Sequence, residues 1–136
     1  MPSVVLDASV TISALIENDR SDEARIIFQD YVSAGAAVPA LWPLEVGHIL
    51  LLAERRRLLN AATRRDHLHD LSCLPITVDQ ETARLAWHDT IVLAERHDLT
   101  LYDATYLELS LRLSLPLATF DAALRRAATA TGVKLL

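Results

Sequence analysis

Apolar positions follow two rhythms along the chain. The unbroken apolar run Val4-Val5-Leu6 reads as a strand buried on both faces rather than a half-exposed one, and Ala37 to Pro39, Ile76 to Val78 and Leu117 to Thr119 read as further short strands. Between them, apolar residues return every three or four positions, the helical spacing. Ala8 to Ile16 predicts a first helix, with Ala8, Ile12, Leu15 and Ile16 on one face. After the polar break Glu17 to Arg20, Ser21 or Asp22 caps a second helix running to about Ser33 with Ala24, Ile27, Phe28 and Tyr31 as its stripe. Pro43 fits the first turn of a third, whose face carries Val46, Ile49, Leu50 and Ala53. A fourth spans roughly Asn60 to Leu74 and stops at Pro75. Asp79 is expected to cap a long helix from about Gln80 to His97 with Ala83, Ala86, Trp87, Thr90 and Leu93 inward. A buried helix through Ala104, Leu107 and Leu111 follows, then one begun by Asp121 with Ala123, Leu124 and Ala127 inward. Gly132 leads to a last strand, Val133 to Leu135. Strands separated by helices imply right-handed crossovers, hence an α/β fold with a mainly parallel sheet covered on both faces.

At 136 residues the chain fits one domain, and a chain of that length buries about two thirds of its unfolded surface. No segment reaches the roughly 18 apolar residues of a membrane span. The N-terminus shows no basic stretch followed by an apolar signal core. A cytoplasmic protein without membrane contact is expected. Cys73 is the only cysteine, so an intrachain disulfide and a cysteine-based zinc site are both excluded, and its expected role is core packing. The 51% hydrophobic content points to some apolar surface kept for a partner.

A net charge of -5 argues against a general electrostatic grip on nucleic acid. Of the 13 basic residues all but Lys134 are arginine, clustered at Arg55 to Arg57, Arg64-Arg65 and Arg125-Arg126. Their planar forks suit phosphate and could guide a polyanion past an acidic centre.

That centre is suggested by four carboxylates: Asp7 after the first strand, Glu45 in the first turn of the helix after the second, Asp103 at the start of a late helix, and Asp121 after the fourth strand. Asp7 alone reads as readily as a helix N-cap. Together the four lie where strands hand over to helices, so in a parallel sheet they can meet on one edge. Like charges gathered there need protonation or a bound cation. A hard divalent ion such as Mg²⁺ takes carboxylate and water oxygens, and phosphate chemistry follows. The histidines offer less. His67 and His69 point to different sides of a helix, while His48, His88 and His97 are scattered. Ser9 lacks the flanking glycines of a nucleophile elbow, and Gly35, Gly47 and Gly132 do not build a phosphate loop. Trp42 and Trp87 read as core or interface. An aspartate-based phosphotransfer site would need a pocket lysine, and only Lys134 exists.

Four segments carry a family resemblance: Val5-Leu6-Asp7-Ala8-Ser9, Pro39-Ala40-Leu41-Trp42-Pro43-Leu44-Glu45-Val46, Leu101-Tyr102-Asp103-Ala104-Thr105-Tyr106-Leu107 and Leu117-Ala118-Thr119-Phe120-Asp121. In order and spacing they resemble the motifs of PIN-domain ribonucleases, in particular the VapC toxins of type II toxin-antitoxin pairs. The resemblance implies a PIN-like fold over residues 1–136 and cleavage of RNA dependent on Mg²⁺ or Mn²⁺. It implies Asp7, Glu45, Asp103 and Asp121 as the acidic centre, with Ser9 and Thr119 as supporting hydroxyls. Asp7, Asp103 and Asp121 would hold the ion, and Glu45 would orient or deprotonate the attacking water. It also implies a VapB-type antitoxin partner and a homodimer, with the Val46, Ile49, Leu50 and Ala53 face as a possible antitoxin groove. A PIN-shaped scaffold that grips RNA or protein without cutting is the alternative from a different class.

Overall fold

A computed structural model describes residues 1–136. Its centre is the first strand, Val4–Leu6 (β1), all three residues of which are fully buried. Ala36–Val38 (β2), Ile76–Val78 (β3) and Leu117–Ala118 (β4) complete a four-stranded parallel sheet in the order β3-β2-β1-β4. Val5 stands opposite Ala37 on one side and Leu117 on the other. The helices flanking the sheet are Ala8–Leu15 (α1), Ser21–Asp30 (α2), Trp42–Arg55 (α3), Ala61–Ser72 (α4), Thr82–Leu85 (α5), Ile91–His97 (α6), Leu101–Leu113 (α7) and Ala122–Ala130 (α8). The strands and helices share one core in which Leu6, Val10, Leu50, Tyr106, Leu107 and Leu124 are fully enclosed.

The strand order matters for the site. The chain lays β2 and then β3 outward on one side of β1, then returns through α7 to set β4 on the other side. Winding direction therefore reverses between β1 and β4, and the crevice at the carboxyl ends of those two strands is where open α/β sheets place ligands. Local chemistry fixes the helices that frame this edge. The side chain of Asn60 accepts from the Thr63 amide at 2.8 Å, the Thr100 hydroxyl accepts from the Asp103 amide at 3.1 Å, and Pro43 sits in the first turn of α3.

Several expectations are corrected. The long helix from 80 to 97 is three pieces, because residues 86–90 form a π-turn with His88 outside helical dihedrals. A π-turn inserts one residue and rotates everything after it. The buried positions accordingly run Leu85, Thr90, Ala94, while Trp87, expected inward, is 84% exposed. Asp79 does not cap this segment; Glu81 is its N-cap, and the Asp79 carboxylate instead accepts from Thr82 and Arg112. Leu111 is exposed, and so is Cys73, which is not in the core. The last strand reduces to one parallel bridge between Leu117 and Leu135. Val46, Leu50 and Ala53 are buried within the fold, which removes that face as an antitoxin groove.

Gly35 turns the chain into β2 at φ +122°, and a Cβ there would meet the Met1 carbonyl oxygen at 3.3 Å. Gly132, at φ +79°, has open space around it. Gly35→Ala is expected to lower unfolding free energy by about 1–3 kcal/mol, the cost of a residue forced into a glycine-only conformation. Gly132→Ala, strained but unobstructed, should cost less. Urea denaturation of both variants measures the difference, and an equal loss would contradict the close approach to Met1.

Candidate active site

Asp7 follows β1 at the N-cap position of α1, yet its side chain makes no cap bond. Only 5% exposed, it turns to β4. Its Oδ2 accepts from the Ser9 hydroxyl at 2.7 Å and the Thr119 hydroxyl at 2.6 Å. Each of these hydroxyls also accepts: Ser9 Oγ from the Phe120 amide at 3.0 Å, and Thr119 Oγ1 from the Asp121 amide at 3.1 Å. Two short side chains thus tie the end of β1 to the end of β4 and hold the carboxylate in the crevice between them. Asp121 is fixed from its other side, because its Oδ2 accepts the Leu124 amide at 2.9 Å and caps α8.

Glu45 sits in the first turn of α3, where the Tyr106 phenol donates to its Oε1 at 2.5 Å. Tyr106 is fully buried, and burial above all, then the nearby carboxylates of Asp7 and Glu45, push its phenol far above the ordinary tyrosine range, so it remains a donor. Asp103 stands in the first turn of α7, its amide capped by Thr100. Burial raises the carboxyl pKa values of Asp7, Glu45 and Asp103. Mutual repulsion adds to each: Asp121 acts on Asp7, Asp7 and Asp103 act on Glu45, and Asp121 and Asp7 act on Asp103. Hydrogen bonds from Thr119 and Ser9 to Asp7, from Tyr106 to Glu45 and from Thr100 to Asp103 only partly offset these effects.

Asp79, at the carboxyl end of β3, makes the contrast. It too is partly buried, but Arg112 holds it below the usual range through bonds of 3.1 and 2.7 Å. The acids around Asp7 have no such partner. No three of them close to ligating distance around one point. As a donor set they are hard oxygens, part-buried and uncompensated by any basic side chain, which fits Mg²⁺ or Mn²⁺ better than a soft metal.

The structure thus brings Asp7, Glu45, Asp103 and Asp121 within electrostatic reach of one another, with Ser9 and Thr119 beneath Asp7. Two further features were missed from the sequence. Tyr106 lay inside a quoted segment, and its signal was its place three residues after Asp103, one turn along the same helix face. On the Asp121 side, where Arg125 of the Arg125-Arg126 cluster donates to the Thr119 carbonyl at 2.9 Å, the Arg20 guanidinium lies 3.9 Å over the Phe120 ring while pairing with Glu23 at 2.8 Å. Nothing in the spacing of Arg20 foretold that position.

A parallel sheet with acidic groups gathered at its switch point defines the class of molecule: an α/β domain with an acidic crevice. Residues 4–130 match the PIN domain, and the chain belongs to that family. No curated protein sequence matches it. Among solved structures it is similar to PAE2754 of Pyrobaculum aerophilum, with 21% identity, a TM-score of 0.72, and 98% of this chain and 83% of the other covered. It is also similar to VapC20 of Mycobacterium tuberculosis, described as a sarcin-ricin loop cleaving toxin, with 17% identity, a TM-score of 0.71 and coverages of 92% and 95%. The FitAcB structure from Neisseria gonorrhoeae aligns at 18% identity with a TM-score of 0.66, covering 98% and 96%.

Raised carboxyl pKa values mean that the folded chain holds protons more tightly than the unfolded one. Their contribution to stability is fullest below the ordinary carboxylate range and is lost as pH rises through the raised values. Asp103→Asn is therefore expected to raise unfolding free energy at pH 7 by on the order of 1 kcal/mol and to flatten the decline of stability from acidic to neutral pH. Thermal melts across that range check it, and a variant less stable at neutral pH would contradict the repulsion.

Proposed function

We propose that the chain is a divalent-metal-dependent endoribonuclease, the toxin component of a type II toxin-antitoxin pair, built as one PIN domain over residues 1–136. The observation that carries the reading is that Asp7, Glu45, Asp103 and Asp121 lie within electrostatic reach of one another near the switch point of a PIN domain. Three of its structural neighbours support it: the sarcin-ricin loop cleaving toxin, a toxin-antitoxin complex from Klebsiella pneumoniae, and VapBC2 of Rickettsia felis bound to a fragment of promoter DNA.

In this reading Asp7, Asp103 and Asp121 hold Mg²⁺ or Mn²⁺, directly or through water. A bound divalent ion supplies charge neutralisation on the phosphoryl oxygens. Glu45 is the base. With Tyr106 on Oε1, its other oxygen is left to take a proton from water, and burial keeps its pKa above that of a free glutamate, closer to the operating pH. The water oxygen bonds to phosphorus in line as the P–O3′ bond breaks, leaving 5′-phosphate and 3′-hydroxyl ends. Ser9 and Thr119 keep Asp7 aimed into the crevice. A VapB-type antitoxin and a second copy of the chain are the partners proposed with it, and the cytoplasm is its proposed location. No helix is long and apolar enough to cross a membrane. The phosphotransfer alternative loses its lysine, because the Lys134 carbonyl bonds to Leu117 at the start of β4, at the opposite edge from Asp121.

Asp7→Asn is the appropriate test variant, since alanine would strip two buried hydroxyls of their acceptor. Asp7→Asn is expected to abolish metal-dependent cleavage of single-stranded RNA, and Glu45→Gln to lower kcat by about 10²–10⁴-fold, the range for a lost general base. Sequencing of RNA ends after induction, beside the Asp7→Asn control, checks both. Undiminished cleavage by Asp7→Asn protein would overturn the assignment.

A further inference from the structure

Beside Glu45 the acidic crevice opens onto apolar surface. Leu41, Leu44, His48 and Tyr102 line, together with Glu45 itself, a groove of about 300 Å³, at the bottom of the about 300–1,000 Å³ range of ligand clefts. Leu44 is 76% exposed and Tyr102 67%. Both belong to the elements that carry the site. Leu44 precedes Glu45 in the first turn of α3, and Tyr102 precedes Asp103 in the first turn of α7.

We infer that this groove is a nucleobase subsite, in which the Tyr102 ring stacks on the base flanking the scissile phosphate, against Leu41 and Leu44, with His48 at its polar rim. The inference rests on the nuclease reading above and names how that site holds its substrate. A phosphate seated among Asp7, Asp103 and Asp121 carries its flanking base one sugar away. Glu45 lines the groove itself, and Tyr102 adjoins Asp103 in the chain, so the groove borders the acids. Single-stranded RNA is bound largely by stacking its bases on aromatic side chains, and Tyr102 offers such a ring unburied.

Electrostatics favours the same assignment. A chain of net charge -5 with carboxylates around its site offers a polyanion little general attraction, so contacts that do not depend on charge gain weight in holding it. Stacking is one of them, and of the arginines on the Asp121 side Arg20 is paired with Glu23 while Arg125 keeps its charge but is tethered to the Thr119 carbonyl, away from the groove beside Glu45. The size of the groove suits a single base rather than a folded partner.

The test uses Asp7→Asn protein, which is expected to bind without cutting, and short single-stranded oligoribonucleotides with or without one abasic nucleotide at the cleavage position, in Mg²⁺. Fluorescence anisotropy should show Tyr102→Ala weakening the intact oligonucleotide by about 5- to 150-fold, the worth of one base–aromatic stack. Tyr102→Phe should bind as its parent does. Removing the base should cost the parent the same factor and cost Tyr102→Ala nothing further. Circular dichroism of the variants confirms the fold. An abasic penalty independent of Tyr102, or unchanged binding by Tyr102→Ala, would overturn the subsite. So would loss of affinity confined to an antitoxin-derived peptide, which would assign the groove to a protein partner. Cleavage by the unmutated chain is scored in parallel. Cleavage with Tyr102-independent binding sinks the subsite alone, whereas Tyr102-dependent binding without cleavage sinks the nuclease reading and leaves the subsite standing.

Discussion

A carboxylate buried to 5% exposure and held by neutral donors, with no opposite charge beside it, is the constraint on which the rest of this structure turns. Burial of a charge without an opposite charge is costly, and the group adjusts by holding its proton or attracting a cation. Asp7 could have been relieved by an arginine, as Asp79 is by Arg112 at the next-but-one strand end. Instead, Ser9 and Thr119 bond to one of its oxygens, and Glu45, Asp103 and Asp121 lie within its electrostatic reach. That arrangement is unfavourable for folding and favourable for binding a hard divalent ion, the usual sign of a site that stability alone would not select.

The sheet makes this possible through its order. Because β4 returns to the far side of β1, Thr119 and Asp121 come from a segment more than a hundred residues away and still meet Asp7 across one strand spacing. The hydrogen bonds Phe120 N to Ser9 and Asp121 N to Thr119 use the backbone just past β4 as a second anchor. Strand pairing and site assembly are therefore one event. A change that loosens β4 from β1 would be felt first in the crevice.

Much of this was legible from residue pattern. Val4-Val5-Leu6 is an unbroken apolar run and Ile76-Thr77-Val78 a run of β-branched residues, and both are strands with the expected bounds. Asn60 and Asp121 read as helix starts and are N-caps, whereas Ser21 and Asp22, read as caps, lie inside a helix whose N-cap is Arg20. The four acids could be placed at strand-to-helix junctions because a parallel sheet puts all such junctions on one edge. Two things were hidden. The π-turn at 86–90 keeps an apolar rhythm that fits an unbroken helix, which put Trp87 inward where the structure turns it out. The bond from Tyr106 to Glu45 joins residues 61 apart, and no local spacing announces such a partner. Asp7 misled in a smaller way, since it occupies the N-cap position without capping.

The central claim is that the acids around Asp7 share one divalent cation. A crystal of the chain soaked in Mn²⁺ and measured for anomalous scattering tests it most directly. The account predicts a peak in the crevice between β1 and β4, within about 2.0–2.5 Å of carboxylate oxygens from Asp7 and at least one of Asp103 and Asp121. A crevice free of anomalous signal at saturating Mn²⁺, or a peak held only by acids elsewhere on the surface, would contradict it.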